Sequence, residues 1–255
     1  MKQISTFRSS FSTFKYVLAA GLLIGTLGSC SKSKDDEPTV TYDDDHTPID
    51  ESMLNKVILA KNIGVESNSS NSTLITKVLF SLEKNQLIDL TKDKSNRWDI
   101  SVGSTFDSFI GGNNGKDAKN IAAGGSGIGG VVCLKKPFNE VIDIPKDADF
   151  QTGSHLIGTD DLGDLGAGIG YYIYDFDGKI KGDGSEEKKH VAYAMPEDRT
   201  IVVKTAKGNY AKIQVLSLYK DLMNPADWKR NSPHTFLTFN YMLAKAGSTK
   251  FATLK

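Results

Sequence analysis

The sequence of 255 residues predicts an all-β protein, an antiparallel sandwich or barrel-like fold with few short helices. Short apolar stretches rich in β-branched and aromatic residues recur along the chain between glycine-containing connections. No stretch keeps a helical period with caps, and only Asn224-Pro225 predicts a short helical turn. With 39% hydrophobic and 24% charged residues, the composition is that of a globular protein with a sizeable core.

The strands are predicted in order from Thr73, where a Ser/Asn-rich linker ends. Before that linker, Met53–Val65 is apolar enough to form an extra strand or a short helix packed on the domain. Later in the chain, Lys207-Gly208-Asn209 predicts a tight hairpin turn, because Gly and Asn tolerate a positive φ. The other strand candidates are "TKVLFSLEKNQLIDL", "RWDISVG", "GVVCLKKPF", "GIGYYIYDFDGKI" and "HTFLTFNYML".

The N-terminus predicts a bacterial lipoprotein signal peptide over residues 1–29. Three basic residues precede the apolar stretch "YVLAAGLLIGTL", which is shorter than the roughly 20 residues of a membrane span. The stretch ends in "LGSC", which is typical of a lipobox, so Cys30 is the predicted lipidation site. The alternative is an ordinary secretory signal with a chance cysteine. The following "SKSKDDEP" resembles an acidic tag that places lipoproteins on the outer surface, so we expect a lipid-anchored outer-membrane protein facing the cell exterior.

The domain boundaries follow from composition. Residues 30–54 are predicted to be the lipidated cysteine and a disordered tether, since "TVTYDDDHTPID" is too polar to fold alone. Residues 55–255 are predicted to form the β domain. The acidic clusters Asp43–Asp45 and Asp160-Asp161 lack the spacing of a calcium loop and are interpreted as solvated surface.

Charge and cysteine content exclude several classes of function. Lysine plus arginine equals aspartate plus glutamate at 31 each, which argues against binding to nucleic acid and against membrane contact other than through the lipid anchor. With Cys30 lipidated, Cys133 is the one remaining cysteine, so no internal disulfide is expected. Cys133 lies in the apolar "GVVCL" and is predicted to be a buried, inert thiol.

The segment "GGSGIGGVV" matches the glycine spacing of a dinucleotide-binding turn at Gly125, Gly127 and Gly130. Such a turn needs an apolar strand before it and a helix after it, whose N-terminal amides meet the pyrophosphate. The preceding sequence is polar and glycine-rich, and the following "VVCLKKPF" predicts a strand. We therefore interpret the segment as a flexible loop that leads into an edge of a sheet.

No enzymatic motif is present, so the protein is predicted not to be an enzyme. The sequence contains no His-Glu-x-x-His, Gly-x-Ser-x-Gly or Gly-Lys-Ser/Thr pattern. The remaining donors are histidines. His155 and His190 lie on separate long loops, with Met195 close behind His190, and two such donors could clamp a haem iron. For each histidine, an ordinary loop or edge position is the alternative; His46 is expected in the tether, and His234 in a turn or strand entry.

Several blocks together resemble the HmuY-like family, exported lipoproteins of Gram-negative bacteria whose best-known members bind haem. The resemblance covers roughly Lys77 to Leu243, and its most specific part is the "RTIVV" block with its Lys-Gly-Asn turn. The matching blocks are the lipobox at Cys30, "WDI", "GGSGIGGVV", "GYYIYD", "RTIVVKTAKGNYAKIQVLSLYKD" and "FLTFNYML".

This resemblance implies an HmuY-type β fold and a non-covalently bound b-type haem, held by two axial ligands on neighbouring loops that open and close. The first ligand position corresponds to the segment before "GYYIYD", where His155 is the available donor. The second ligand position falls near the end of that strand or in the next connection, where His190 or alternatively Met195 is the available donor. The residue closest to this position by register is Phe176. The resemblance also implies delivery of haem to a TonB-dependent outer-membrane receptor. The alternative is an HmuY-like surface interaction module that binds no haem.

Overall fold

The computed structural model describes residues 42–66 and 76–253. The predicted signal peptide, Cys30 and the first part of the predicted tether lie outside the described residues. Within the described ranges, the regular structure consists of eleven β-strands and six three-residue 3-10 turns. The prediction of an all-β fold with few short helices is therefore confirmed. No helix among the described residues has the length and apolar character needed to cross a membrane.

The larger sheet has five strands in the order β1-β11-β10-β9-β6, and all neighbours are antiparallel. The segment that could have been a strand or a helix forms the edge strand β1. The predicted hairpin joins β9 to β10, with Gly208 at a φ of 88°. The strands are β1 (Val57–Gly64), β6 (Gly130–Leu134), β9 (Thr200–Lys204), β10 (Tyr210–Ser217) and β11 (Phe236–Ala244).

A second sheet and a separate hairpin complete the fold. The second sheet has four antiparallel strands in the order β3-β2-β4-β5, and β7 pairs with β8 in the hairpin. A 3-10 turn at Pro225–Asp227 occupies the predicted helical position, capped by the Asn224 side chain. The strands are β2 (Thr76–Ser81), β3 (Gln86–Ile88), β4 (Ile100–Gly103), β5 (Phe109–Gly112), β7 (Tyr172–Asp175) and β8 (Val191–Ala194).

One hydrophobic core lies between the two sheets and the hairpin, as in a sandwich. The Phe80 ring of β2 meets the Phe239 ring of β11 edge to face, with centroids 5.8 Å apart. The Tyr241 hydroxyl of β11 donates to the Leu82 carbonyl at 2.9 Å, which adds a polar link between the sheets. In the described part of the chain the two sheets remain separate and do not close into a barrel.

The opposite face of the larger sheet is covered by a second core cluster that contains a buried lysine. The Lys212 ammonium donates to the carbonyls of Phe138 and Val141, both at 2.9 Å, and lies 4.5 Å from the Phe138 ring centroid. Burial lowers the pKa of Lys212. The carbonyls and the ring together compensate the lost hydration of the ammonium group.

The glycine-rich segment leads into β6, an edge strand of the larger sheet, as predicted. Its loop is tightly packed and not flexible: a Cβ at Gly127 would collide with Asn113, and one at Gly125 with the Lys94 carbonyl. Asn113 itself donates to two carbonyls in the 95–98 region at 2.8 Å. The glycines are therefore required by close packing inside the protein.

Asp99, in the "WDI" block, links the turns of both sheets through its carboxylate. It accepts hydrogen bonds from the Leu82 amide at 2.8 Å and the Ala206 amide at 3.0 Å. Burial raises the pKa of Asp99, and the neighbouring Glu83 charge raises it further against the effect of the amide donors. Glu83 is buried as well and accepts from the Thr205 hydroxyl at 2.8 Å.

Residues 42–54, which we call the strap, belong to the predicted disordered tether, but they pack on the domain. The Asp45 side chain is only 7% exposed and lies 2.9 Å from Lys84 and 3.3 Å from Lys207. Lys207 also pairs with Glu83 at 3.0 Å, which connects the strap to the Asp99 cluster. The prediction that Asp43–Asp45 is solvated surface is therefore wrong for Asp45, because two lysines compensate its burial.

We predict that Asp45→Asn destabilises the protein by about 1–2 kcal/mol. Burial alone would raise the pKa of Asp45, but hydrogen bonds from Thr47 and Lys84 and the Lys207 charge hold it well below its usual range. The carboxylate therefore contributes stability that is present above about pH 4 and is lost as the pH falls further.

Chemical denaturation of wild type and Asp45→Asn at several pH values measures this contribution. The difference between the two proteins should shrink below about pH 4. Asp43→Asn is the control: Asp43 is on the same strap but its side chain is 55% exposed, and no measurable loss is expected. Equal losses for both variants would contradict the role assigned to Asp45.

Candidate functional site

The candidate site is a small cavity against one face of the β7–β8 hairpin. Tyr172 and Tyr174 on β7 line it, as do His190 and Ala192 on the other arm. Because side chains alternate across a strand, residues two apart share a face, and Tyr174 pairs with Ala192 in the register. His190 directly precedes β8 with a φ of 60°, and its side chain lines the same space as the two tyrosines.

The opposite wall is built from three other parts of the chain: the β4–β5 connection, the residues after β10, and the residues before β11. The cavity between the walls has a volume of about 40 Å³. By that measure it holds about three water molecules. The residues of the opposite wall are Phe106, Ser108, Leu218, Tyr219, His234 and Thr235.

Phe106 is held over the cavity by an unusual backbone conformation. Ser104, Phe106 and Asp107 all have a positive φ, between 50° and 65°, which costs about 1–3 kcal/mol for each such residue. The Phe106 ring stacks on Tyr174 with centroids 4.9 Å apart, and the Phe106 carbonyl accepts from the Thr235 hydroxyl at 2.8 Å. The surrounding contacts thus hold an aromatic ring at the cavity wall.

Two imidazoles line this cavity, and each uses Nδ1 in a hydrogen bond. His190 Nδ1 lies 2.8 Å from the Tyr174 hydroxyl. His234 Nδ1 lies 2.8 Å from the Ser232 carbonyl, which can only accept, so His234 carries a proton on Nδ1. Among the described residues neither Nε2 atom has a hydrogen-bond partner. In each ring, Nε2 is the nitrogen left to bind a ligand.

The electrostatics of His190 favour the neutral ring. Burial lowers the pKa of His190, and the Arg230 charge lowers it further, partly opposed by Asp177 and Glu186. Since the ordinary pKa is about 6.5, the ring is unprotonated at neutral pH. A neutral imidazole is the form that coordinates metals.

His155, the first predicted haem ligand, does not line this cavity. It is 8% exposed and has a φ of 50° in the bend before Ile157, which bridges to Ile110 of β5. Its Nε2 lies 3.2 Å from the Thr76 hydroxyl, and burial lowers its pKa. The structure therefore places His155 and His190 against different parts of the fold.

Met195, the alternative second ligand, does not line the cavity either. It directly follows β8, packs partly buried against the main core, and its amide donates to the Tyr171 carbonyl. Cys133 is a buried free thiol, as predicted, and burial raises its pKa to about 12. At neutral pH that thiol is protonated and is neither a nucleophile nor a metal ligand.

His234 is the residue that sequence reasoning missed. It does precede a strand, β11, as expected, but its ring also forms part of the cavity wall opposite His190. No local pattern in "NSPHTF" indicates this, because the partner residues come from distant parts of the chain. Among the described residues no group of three or more His, Cys, Asp or Glu side chains could hold a metal ion.

The donor set fits haem, whereas the closed cavity does not. Two imidazoles with free Nε2 atoms are suitable axial ligands, and the aromatic wall of Phe106, Tyr172 and Tyr174 suits a flat apolar ring. A volume of about 40 Å³ accommodates water but not a porphyrin. Haem can therefore enter only if the segments that carry the two histidines move apart.

The loop after Thr159 is fixed next to the site by a buried ion pair. Arg199 Nε donates to Asp160 Oδ2 at 2.7 Å, with both side chains at most 2% exposed. Asp160 also accepts from the Gly170 amide, so it closes both ends of the loop. The interpretation of Asp160-Asp161 as solvated surface is wrong for Asp160, because Arg199 compensates its burial. Within the loop, Asp164 accepts from the Phe176 amide at 2.8 Å.

No family model matches the chain, and no curated protein matches it. Similar solved structures include an apo HmuY analog from Tannerella forsythia, with 14% identity, a TM-score of 0.37, and coverage of 75% of this chain and 96% of that one. A second is a predicted HmuY-like haem-binding protein from Bacteroides vulgatus, with 13% identity, a TM-score of 0.36, and coverage of 76% and 93%.

A third similar structure is a predicted lipoprotein from Bacteroides fragilis, with 12% identity, a TM-score of 0.27, and coverage of 76% of this chain and 93% of that one.

We predict that Arg199→Gln destabilises the protein by about 3–5 kcal/mol, because it leaves the Asp160 carboxylate buried without its cation. Thermal and denaturant unfolding measure the loss. The matched control is Asp198→Asn, since Asp198 is the second, 55% exposed partner of Arg199 and its removal should have no measurable effect. Similar losses in both variants would show that the buried pair has no special role.

Proposed function

We propose that this protein is a non-enzymatic, lipid-anchored haem-binding protein that holds the iron between His190 and His234. One observation carries the proposal: two imidazoles from distant segments line a single aromatic cavity, each with Nδ1 engaged and Nε2 free. The HmuY-like blocks of the sequence support haem as the ligand. His190 belongs to the ligand pair expected from the sequence, and His234 takes the place expected for His155.

The hydrogen bonds at Nδ1 support a ligand role for both rings. A histidine that binds a metal commonly donates its other ring N–H to a carbonyl or a similar acceptor, which fixes the ring and raises its basicity. The Ser232 carbonyl provides this acceptor for His234, and the Tyr174 hydroxyl can provide it for His190. Both rings are therefore oriented before any ligand arrives.

The rest of the cavity supplies apolar contact for a ligand. Tyr172 is fully buried, and its hydroxyl lies 2.8 Å from the Ser108 hydroxyl, so the phenol needs no partner from the ligand. The Phe106 and Tyr174 rings, which stack on each other from opposite walls, add flat aromatic surface. When bound, haem supplies an iron centre. Two imidazole ligands would fill both axial positions and leave none open for a substrate, which favours binding over catalysis.

Opening of the cavity requires a segment that carries one of the histidines to move, and we assign this movement to the connection from β7 to His190. In the closed form Asp175 and Lys188 hold this connection through hydrogen bonds, which opening would have to break. Gly178 and Gly184 have φ values of 68° and 82° in this connection, where other residues would be strained. Movement of this connection away from His234 would admit a flat ring between the two histidines. Delivery to a TonB-dependent outer-membrane receptor, and lipid anchoring at Cys30, complete the proposal on the strength of the sequence motifs.

The second candidate function is an HmuY-like surface module that binds no haem. The small volume of the closed cavity favours it. The two candidates differ in one spectroscopic measurement, because only the first places an iron porphyrin between imidazoles.

We predict that haemin added to the purified protein gives a Soret shift typical of a six-coordinate, low-spin complex. His190→Ala and His234→Ala should each weaken haemin binding tenfold or more, on the order of the loss of one metal ligand contact. His155→Ala and Met195→Leu are the controls and should leave the spectrum unchanged, because neither residue lines the cavity.

Two results would overturn this assignment. Loss of the Soret shift in His155→Ala but not in His234→Ala would restore the ligand pair expected from the sequence. No Soret shift in the wild-type protein would favour the module that binds no haem.

A further inference from the structure

An open, charged groove adjoins the cavity on the side of His190. It has a volume of about 480 Å³ and is formed by two segments that approach each other. The Arg230 amide donates to the Glu187 carbonyl at 2.8 Å, which joins the segments. The groove is lined by Glu186, Glu187, Lys229, Arg230 and Asn231.

The two cations of the groove are paired to different extents. Lys229 has a close partner, since its ammonium lies 2.6 Å from the Glu187 carboxylate. The ion-pair partner of the Arg230 guanidinium is Glu186 at 3.9 Å, which is longer than a hydrogen bond, and the guanidinium is half exposed. Within the described residues, the guanidinium of Arg230 makes no hydrogen bond. Its donors are therefore available to an incoming acceptor.

Glu186 lies between two cations. One carboxylate oxygen pairs with Lys189 and the other faces Arg230. The Glu186 side chain is 76% exposed, so water competes for this carboxylate and an incoming anion can replace it. Glu186 thus occupies a position where two positive charges converge.

The charge of Arg230 reaches the wall of the cavity. Besides burial, Arg230 is the largest cause of the lowered pKa of His190. At Tyr174, burial raises the pKa and the Arg230 charge opposes that rise. In the backbone, the Arg230 amide bonds to Glu187, three residues before His190, so the groove adjoins the segment that carries this histidine.

We propose that Arg230 and Lys189 form a carboxylate-binding subsite at the mouth of the cavity, and that Glu186 fills this subsite in the closed form. The proposal rests on the proposed function, because a tetrapyrrole ring seated at His190 carries carboxylate side chains at its edge. Arginine binds such groups in a planar, two-bond geometry. Displacement of Glu186 releases the donors of both cations to the incoming carboxylate.

The test compares haemin with its dimethyl ester, in which both carboxylates are blocked. Arg230→Gln should weaken haemin binding about tenfold, the effect of losing one hydrogen-bonded charge, and should leave the affinity for the ester unchanged. Glu186→Gln should strengthen haemin binding severalfold, because the competing carboxylate is gone. The Soret position should stay the same in both variants, since the axial ligands are untouched. Lys229→Gln is the control in the same groove and should have no effect, because Glu187 already pairs with Lys229.

Equal effects of Arg230→Gln on haemin and on the ester would overturn the subsite, and so would unchanged haemin affinity in that variant. Metal-free protoporphyrin, followed by its fluorescence, separates this failure from failure of haem ligation. If Arg230-dependent binding of metal-free protoporphyrin persists while haemin gives no axial-ligand spectrum, the subsite stands and the imidazole pair fails. If no porphyrin binds, both are overturned.

Discussion

The buried carboxylate of Asp99 is the constraint on which the rest of this fold depends. It accepts amides from the turn after β2 and from the turn after β9, so one side chain fixes the ends of both sheets against each other. Glu83 and Lys207 extend the cluster to Asp45 on the strap. A buried cluster of this kind costs desolvation and holds only if every partner is present. It therefore holds the turn after β2 against the turn after β9.

The candidate site lies outside the two sheets, at the β7–β8 hairpin. The β7–β8 hairpin pairs with neither large sheet as a strand, and its cavity wall is completed by connections from other parts of the chain. The loop after Thr159 is clamped by Arg199 and Asp160, whereas the connection from β7 to His190 contains positive-φ glycines and exposed charges. Asp175 accepts amides of this connection and Lys188 donates to the Ala226 and Trp228 carbonyls, so the proposed opening would have to break these hydrogen bonds.

Much of the fold could be predicted from local patterns. Strands depend on the alternation of apolar and polar residues and on the turn residues between them, and both are visible in short stretches of sequence. The hairpin at Gly208 and the strand after the glycine-rich segment are both present. The prediction of exposed acidic residues is wrong for Asp45 and Asp160, because their burial depends on residues distant in sequence. Asp45 and Asp160 are buried because cations distant in sequence meet them, and composition alone cannot indicate such partners.

The sequence by itself determined the all-β class, the buried state of Cys133 and the exclusion of a nucleotide site at Gly125–Gly130, since each depends on local apolar pattern. Only the tertiary structure decided which histidines share a cavity. His190 and His234 meet because the β7–β8 hairpin packs against the residues before β11, whereas His155 is turned to Thr76. Chain topology sets these juxtapositions, and no spacing within the sequence encodes them.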